Sequence, residues 1–140
     1  MAVVRTNSKQ TKLLARLMRA EAEEDGEMGM LLVGNVGVNR VIARCLDFED
    51  IRTLKEMIFQ APGGFEAVQR SYFYQRARER EIRLARQVIN GARFDPARFA
   101  LWFFAPDGNC PPEWFGQALS GRYKSHCFFL APAGECPNVY

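Results

Sequence analysis

A carboxylate occupies a place in this chain where an apolar residue belongs. In Leu14-Ala15-Arg16-Leu17-Met18-Arg19-Ala20-Glu21-Ala22, helical spacing puts Leu14, Leu17 and Met18 on one stripe. The next position on that stripe is Glu21. Glutamate is rarely buried unless it is paired or does chemistry. Desolvation raises a carboxyl pKa, and an acid still protonated near neutrality can act as a general acid. A second reading stays open on the pattern alone: Glu21 lies at the rim of the stripe and pairs with an arginine. Glu23, Glu24, Asp25 and Glu27, which follow, read as solvated loop charges. A calcium site in Glu23–Glu27 is the lesser option, because the spacing is not that of an EF-hand.

The remaining chemistry-bearing residues are few. Cys45, Cys110, Cys127 and Cys136 form no C-x-x-C pair, and the chain has one histidine, His126. Zinc-ligand spacing is therefore absent and no metal or cofactor is expected. Cytosolic synthesis favours free thiols; were they oxidised later, nearness in sequence would favour Cys127 with Cys136. Asn35 and Asn39 lie four apart in an apolar run, and buried amides need partners. The Glu21 carboxyl is one candidate partner, and loop carbonyls are the other. Phe65, Trp102 and Trp114 have the flat faces on which sugar rings stack, but on the residues alone each reads as core.

Composition and order then set the frame. A chain of 140 residues, 48% hydrophobic and 25% charged, is large enough for one domain with a real core. The net charge is +3, and of the 19 basic residues 15 are arginine, which suits an anionic partner without singling out nucleic acid. The N-terminus shows neither the apolar core nor the cleavage site of a secretory signal, and no apolar run is long enough to span a membrane. Cytoplasmic synthesis follows as an expectation.

Helices come first. The spacing predicts one from Lys9 to Glu24 capped by Ser8, and a second over Met28–Arg44 that is apolar almost all round and so central. A short amphipathic helix carries Ile51, Leu54, Met57 and Ile58. Gln60-Ala61-Pro62-Gly63-Gly64-Phe65 then forms a shaped loop, and a long helix runs from Tyr74 to Asn90. On that last helix Arg76, Arg80, Arg83 and Arg86 lie among Glu79 and Glu81, which reads as a salt-bridged face rather than a nucleic-acid stripe. Strands follow at Phe99–Phe104 and Tyr123–Leu130, with Cys110–Trp114 as a loop. The prediction is an α+β domain spanning residues 1–140, a helical body with a small antiparallel sheet from its C-terminal third.

These pieces resemble the SleB/CwlJ cell-wall hydrolases of spore-forming bacteria. The similarity runs through Leu14-Ala15-Arg16-Leu17, Ala20-Glu21-Ala22, Asn39-Arg40, Ile58-Phe59-Gln60 with Phe65, Trp102-Phe103-Phe104, Trp114 and Lys124-Ser125-His126-Cys127-Phe128. It is nearest the CwlJ branch in Met1–Arg5, Gly29–Gly37, Tyr72–Arg78 and Asn138-Val139-Tyr140. The resemblance implies a lysozyme- or lytic-transglycosylase-like cleft, no separate peptidoglycan-binding domain, and Glu21 as the catalytic acid. It implies substrate contacts from Asn39, Gln60, Phe65, Trp102, Trp114 and His126. The implied substrate is spore cortex peptidoglycan containing muramic δ-lactam, cut during germination. The implied setting is synthesis in the mother cell, deposition between coat and cortex, activation by calcium dipicolinate and a coat partner of the GerQ type.

A glycosidase with two carboxylates needs a second acid about 5–9 Å from the first, and Glu66, Asp95 and Asp107 are the candidates. A lone glutamate instead suits a lytic transglycosylase, the route favoured here over hydrolysis. A zinc amidase is poorly supplied with ligands in a chain with one histidine. The rival class is a wall- or coat-binding module without activity, against which the presence of Glu21 argues.

Overall fold

Asn7 opens the first helix. In the computed structural model, which describes residues 1–62 and 64–140, its side chain accepts the Gln10 N–H at 2.9 Å. The cap thus falls one residue before the expected serine, and α1 spans Ser8–Ala22. Leu14, Leu17 and Met18 are buried as the stripe predicts. A 3-10 turn, Glu23–Asp25, leads into α2, Gly26–Ala43. Every residue of α2 from Gly29 to Val41 is buried, which makes it the axis of the helical body. Gly34 shows why: a Cβ there would lie 2.9 Å from Met18 Sδ on α1 and 3.0 Å from Val88. The neighbouring helices rest on bare backbone, and an alanine would force them apart.

Two later helices are shorter than their apolar spacing. α3 is Leu54–Ile58, because Thr53 and Glu56 close a capping box that excludes Ile51. α4 is Glu79–Ile89, not Tyr74–Asn90. The cause is Arg19, buried on α1. Its guanidinium takes the carbonyls of Gln75 and Arg76 at 2.7 Å each and that of Tyr72 at 3.2 Å. The Gln75 and Arg76 carbonyls, turned to a distant arginine, are spent outside the helix, so α4 starts only at Glu79 and Ser71–Tyr74 stays a separate 3-10 turn. Fully buried Glu81 faces Arg78 at 3.0 Å, Arg80 at 3.2 Å and Arg19 at 3.8 Å. On the predicted arginine face Arg80 pairs with Glu81, and Arg83 reaches Glu27 at 3.1 Å rather than Glu79.

The C-terminal third forms one antiparallel sheet of β1 (Trp102–Phe104), β2 (Glu113–Trp114), β3 (Gln117–Tyr123) and β4 (His126–Leu130), in the order β1-β4-β3-β2. The predicted strand at Tyr123–Leu130 is therefore the second half of a hairpin, broken at Lys124, which sits at φ 48°. β2 and β3 went unread because β2 has two residues and β3 shows water every second residue. Gly121 lets β3 pass Pro96, whose Cβ would lie 2.8 Å from an added methyl group. In the 60–65 loop, Gly63 lies outside the described residues. Among the described residues no helix is long and apolar enough to cross a membrane.

The cysteine pairing differs from the expectation. Cys45 is bonded to Cys136 and Cys110 to Cys127. β4 and the turns after it carry Cys136 away from Cys127 to the end of α2, so nearness in sequence is not nearness in space. The Cys45–Cys136 bond closes a separation of 91 residues and restrains the unfolded chain strongly. Replacing both by serine is expected to lower the unfolding free energy by about 3–4 kcal/mol, read as a lower urea midpoint with a steeper slope, because the unfolded chain then opens further.

Candidate active site

The last turn of α1 and the turn after it face the sheet across a cleft of about 1080 Å³. That volume lies at the upper end of ordinary ligand clefts, about 300–1,000 Å³. Glu21 lines it, half buried. Desolvation raises its carboxyl pKa above the ordinary value, against the pull of the Ala67 backbone amide, His126 and Arg70. Its place at a helix C-terminus adds to the cost of an anion there. The structure thus gives Glu21 the environment of a general acid.

Asp25 is the residue that the sequence reading misplaced. It is only 6% exposed, not a solvated loop charge. Its Oδ2 accepts from Ser125 Oγ at 2.7 Å and lies 2.8 Å from His126 Nδ1. Burial pushes the Asp25 carboxyl up, but the Ser125 and His126 hydrogen bonds outweigh it and hold the acid below its usual range. An ionised Asp25 fixes the proton of the ring on Nδ1, which leaves Nε2 as the imidazole nitrogen facing other chemistry. The hairpin turn at Lys124-Ser125 is what brings His126 back over the α1–α2 junction. Sequence spacing held no sign of this pair, since Asp25 and His126 are about a hundred residues apart.

Arg40, on α2, is the other unforeseen member. Its Nε donates to the Leu101 carbonyl at 2.8 Å, and its guanidinium lies 4.8 Å from the Phe48 ring and 4.5 Å from the Phe65 ring. Burial draws its pKa down to about 10, while the charges of Glu21 and Asp47 act to hold the proton. A buried cation coupled to Glu21 steadies the carboxylate once the proton has left.

The residues proposed as substrate contacts separate into two groups. Phe65, Trp102, Trp114 and His126 line the cleft, whereas Asn39 and Gln60 do not. Asn39 Nδ2 donates to the carbonyls of Ala100 at 2.8 Å, Arg98 at 3.1 Å and Ala97 at 3.3 Å, so it shapes the 97–100 turn. Asn35 Oδ1 accepts the Phe94 N–H at 2.9 Å. Loop carbonyls, not Glu21, take the Asn39 amide, and a loop N–H takes the Asn35 oxygen, while the buried Asn35 Nδ2 has no partner among the described residues. Gln60 Nε2 donates to the Asp47 carbonyl at 2.7 Å. Phe65 and Trp102 are 8% and 9% exposed, their rings turned to Arg40 and Phe48. Trp114, half buried, offers more surface.

Of the candidate second acids, Glu66 lines the cleft and its charge reaches Glu21. Asp95 and Asp107 lie outside it; Asp95 pairs with Arg98 at 3.5 Å. Acids of the turn are engaged by neighbouring side chains. Glu23 is bonded to Tyr72 and Arg78, Asp25 to Ser125 and His126, and Glu27 to Arg83. Among the described residues no group of three or more His, Cys, Asp or Glu side chains could hold a metal ion.

A protonatable glutamate in an aromatic- and arginine-lined cleft, between a helical body and a small antiparallel sheet, is the arrangement of a lysozyme-like α+β enzyme. Residues 24–129 match the model of a family described as Cell Wall Hydrolase. The chain is 63% identical over all 140 residues to cell wall hydrolase CwlJ of Halalkalibacterium halodurans, of which it covers 98%. It is 56% identical, again over its whole length, to CwlJ of Bacillus subtilis, covering 98% of that protein. The fold matches the catalytic domain of the Bacillus cereus SleB protein with a TM-score of 0.70 and 25% identity, covering 89% of this chain and 92% of that one. The catalytic domain of a germination-specific lytic transglycosylase, SleB of Bacillus anthracis, matches with a TM-score of 0.70 and 24% identity, over 89% of this chain and 96% of that one. This chain belongs to the Cell Wall Hydrolase family, enzymes that act on the bacterial wall.

Proposed function

We propose that this enzyme cuts the glycan strands of spore cortex peptidoglycan that carry muramic δ-lactam, with Glu21 as both acid and base. The observation that carries this reading is the contrast within one turn of chain. Glu23 and Asp25 are held ionised by their partners, whereas burial pushes Glu21 toward the protonated form. Glu21 gives its proton to the glycosidic oxygen, the C1–O bond breaks, and the sugar passes through an oxocarbenium-like state. In the transglycosylase route the Glu21 carboxylate then takes the proton of the sugar's own 6-hydroxyl as that oxygen bonds to C1. The product is an anhydro end, and Glu21 is protonated again for the next turnover. His126, oriented by Asp25, gives the sugar a polar contact beside the reacting bond. Deposition at the coat–cortex boundary with a coat partner of the GerQ type belongs to the same reading, supported by the likeness to the CwlJ proteins.

Hydrolysis is the second reading, and Glu66 is the observation that favours it. It shares the cleft with Glu21 and would activate water there. For either route the first test is digestion of purified cortex followed by mass analysis. Fragments with cut glycan and intact peptide stems are expected, whereas free stems with uncut glycan would mean an amidase and overturn the proposal.

The pH profile follows from the direction of the Glu21 shift. Activity needs the protonated acid, so the alkaline limb of kcat/KM is expected above the ordinary glutamate value of 4.5. A limb at or below that value would contradict the assignment of Glu21 as general acid.

A further inference from the structure

We propose that Phe115 is a sugar-stacking platform at the mouth of the cleft, an inference that rests on the glycan reading above. Trp114 and Gln117 are paired across β2 and β3, so Phe115 and Gly116 are the two central residues of the turn. Both have positive φ, 51° and 83°, the mark of the hairpin turn that favours Asn-Gly. A phenylalanine in that conformation carries the steric cost of the left-handed region. It is also 84% exposed, so the ring gains little from burial in return. A Cβ added at the neighbouring Gly116 would meet nothing within 4 Å, so the tip of the turn is not packed against the body. Folding accounts for neither the strain nor the exposed ring.

The ring's surroundings indicate its use. Phe115 lines the cleft, and its centroid is 5.4 Å from that of Trp114, which lies 4.7 Å from Phe104. These three rings make a series from the sheet to the cleft's outer edge. Among the described residues, the other non-glycine positions at positive φ, Arg44, Leu46 and Lys124, lie outside the cleft lining. The apolar face of a pyranose ring matches such a surface, and Phe65 and Trp102 have their own faces largely covered. The ligand class is therefore the glycan strand, gripped one or more sugars away from Glu21.

The test separates the ring from the backbone. Phe115→Asn removes the ring and supplies the residue this turn prefers, while Phe115→Tyr keeps both ring and strain. Binding of peptide-stripped glycan strands is measured in the Glu21→Gln background, so that nothing is cut. Phe115→Asn is expected to weaken binding by about tenfold, equivalent to about 1.4 kcal/mol, and Phe115→Tyr to leave it unchanged. In the otherwise wild-type enzyme, Phe115→Asn is expected to raise KM and to raise Tm by about 3 °C. Unchanged binding and KM in Phe115→Asn would overturn the platform, leave the glycan reading intact, and point to a protein partner for the ring. A lowered Tm would overturn it too, by showing that the ring is part of the core. If the wild type cut no glycan and Glu21→Gln bound none, the glycan reading would fall and Phe115 with it.

Discussion

Glu21→Gln is expected to lose cleavage of peptidoglycan by about 10³–10⁴-fold while the protein becomes no less stable. The first half follows from chemistry: an amide cannot donate the proton that the leaving oxygen needs, and general acid catalysis is worth about that much when the carboxyl has no substitute. In the transglycosylase route the same group acts twice, which places the loss at the upper end. The second half follows from linkage. The folded Glu21 carboxyl has a pKa above its unfolded value, so its contribution to stability is fully present below the unfolded pKa. That contribution is lost as pH rises through the folded pKa. Above that folded pKa the wild type carries a destabilising half-buried carboxylate that the glutamine variant lacks. Urea midpoints at pH 7 should be equal or higher for Glu21→Gln, and at low pH the two proteins should converge. A large loss of stability would mean that Glu21 is a structural residue.

Asp25→Asn is expected to lower kcat/KM by about 10²-fold, the range for removing one fixed electrostatic partner in a site. The substitution keeps the size of the side chain and removes the charge that both Ser125 and His126 address. Without it the imidazole no longer has a reason to keep its proton on Nδ1, and the ring nitrogen presented to the sugar changes character. The Glu21 limb of the pH profile should persist, because Asp25 is not among the groups that shift Glu21 most. A merely structural role would show as lower Tm with kcat/KM and its pH profile unchanged. Ser125→Ala removes one of the two donors while leaving the Asp25–His126 bond, so its effect should be smaller in the same assay.

The parts of this fold that were legible in the chain are those where periodicity and burial coincide. The α1 stripe ends at Glu21, and the all-round apolar α2 is the axis of the body, as their residue patterns imply. What was not legible depends on contacts between distant segments. Arg19 stops a helix that its own apolar spacing would have continued to Tyr74, because the carbonyls it binds lie more than fifty residues away. Asp25 looked like one of several loop acids until the β3–β4 turn placed Ser125 and His126 against it. Gln60 was drawn into the site by resemblance alone, Asn39 by resemblance and by the need of a buried amide for a partner, and their hydrogen bonds show both shaping neighbouring backbone. Phe115 escaped notice because an aromatic before a glycine reads as an ordinary turn until its φ and exposure are known.

The most direct measurement is digestion of purified spore cortex in heavy-oxygen water, with wild type and Glu21→Gln side by side, reading fragment ends by mass. Anhydro ends free of the heavy label from the wild type, and no new ends from the variant, are the expected result for lone-glutamate transglycosylation. Labelled reducing ends from the wild type would move the chemistry to hydrolysis and the search to Glu66. Equal fragments from both proteins would contradict the central claim, that Glu21 carries the proton that breaks the glycan.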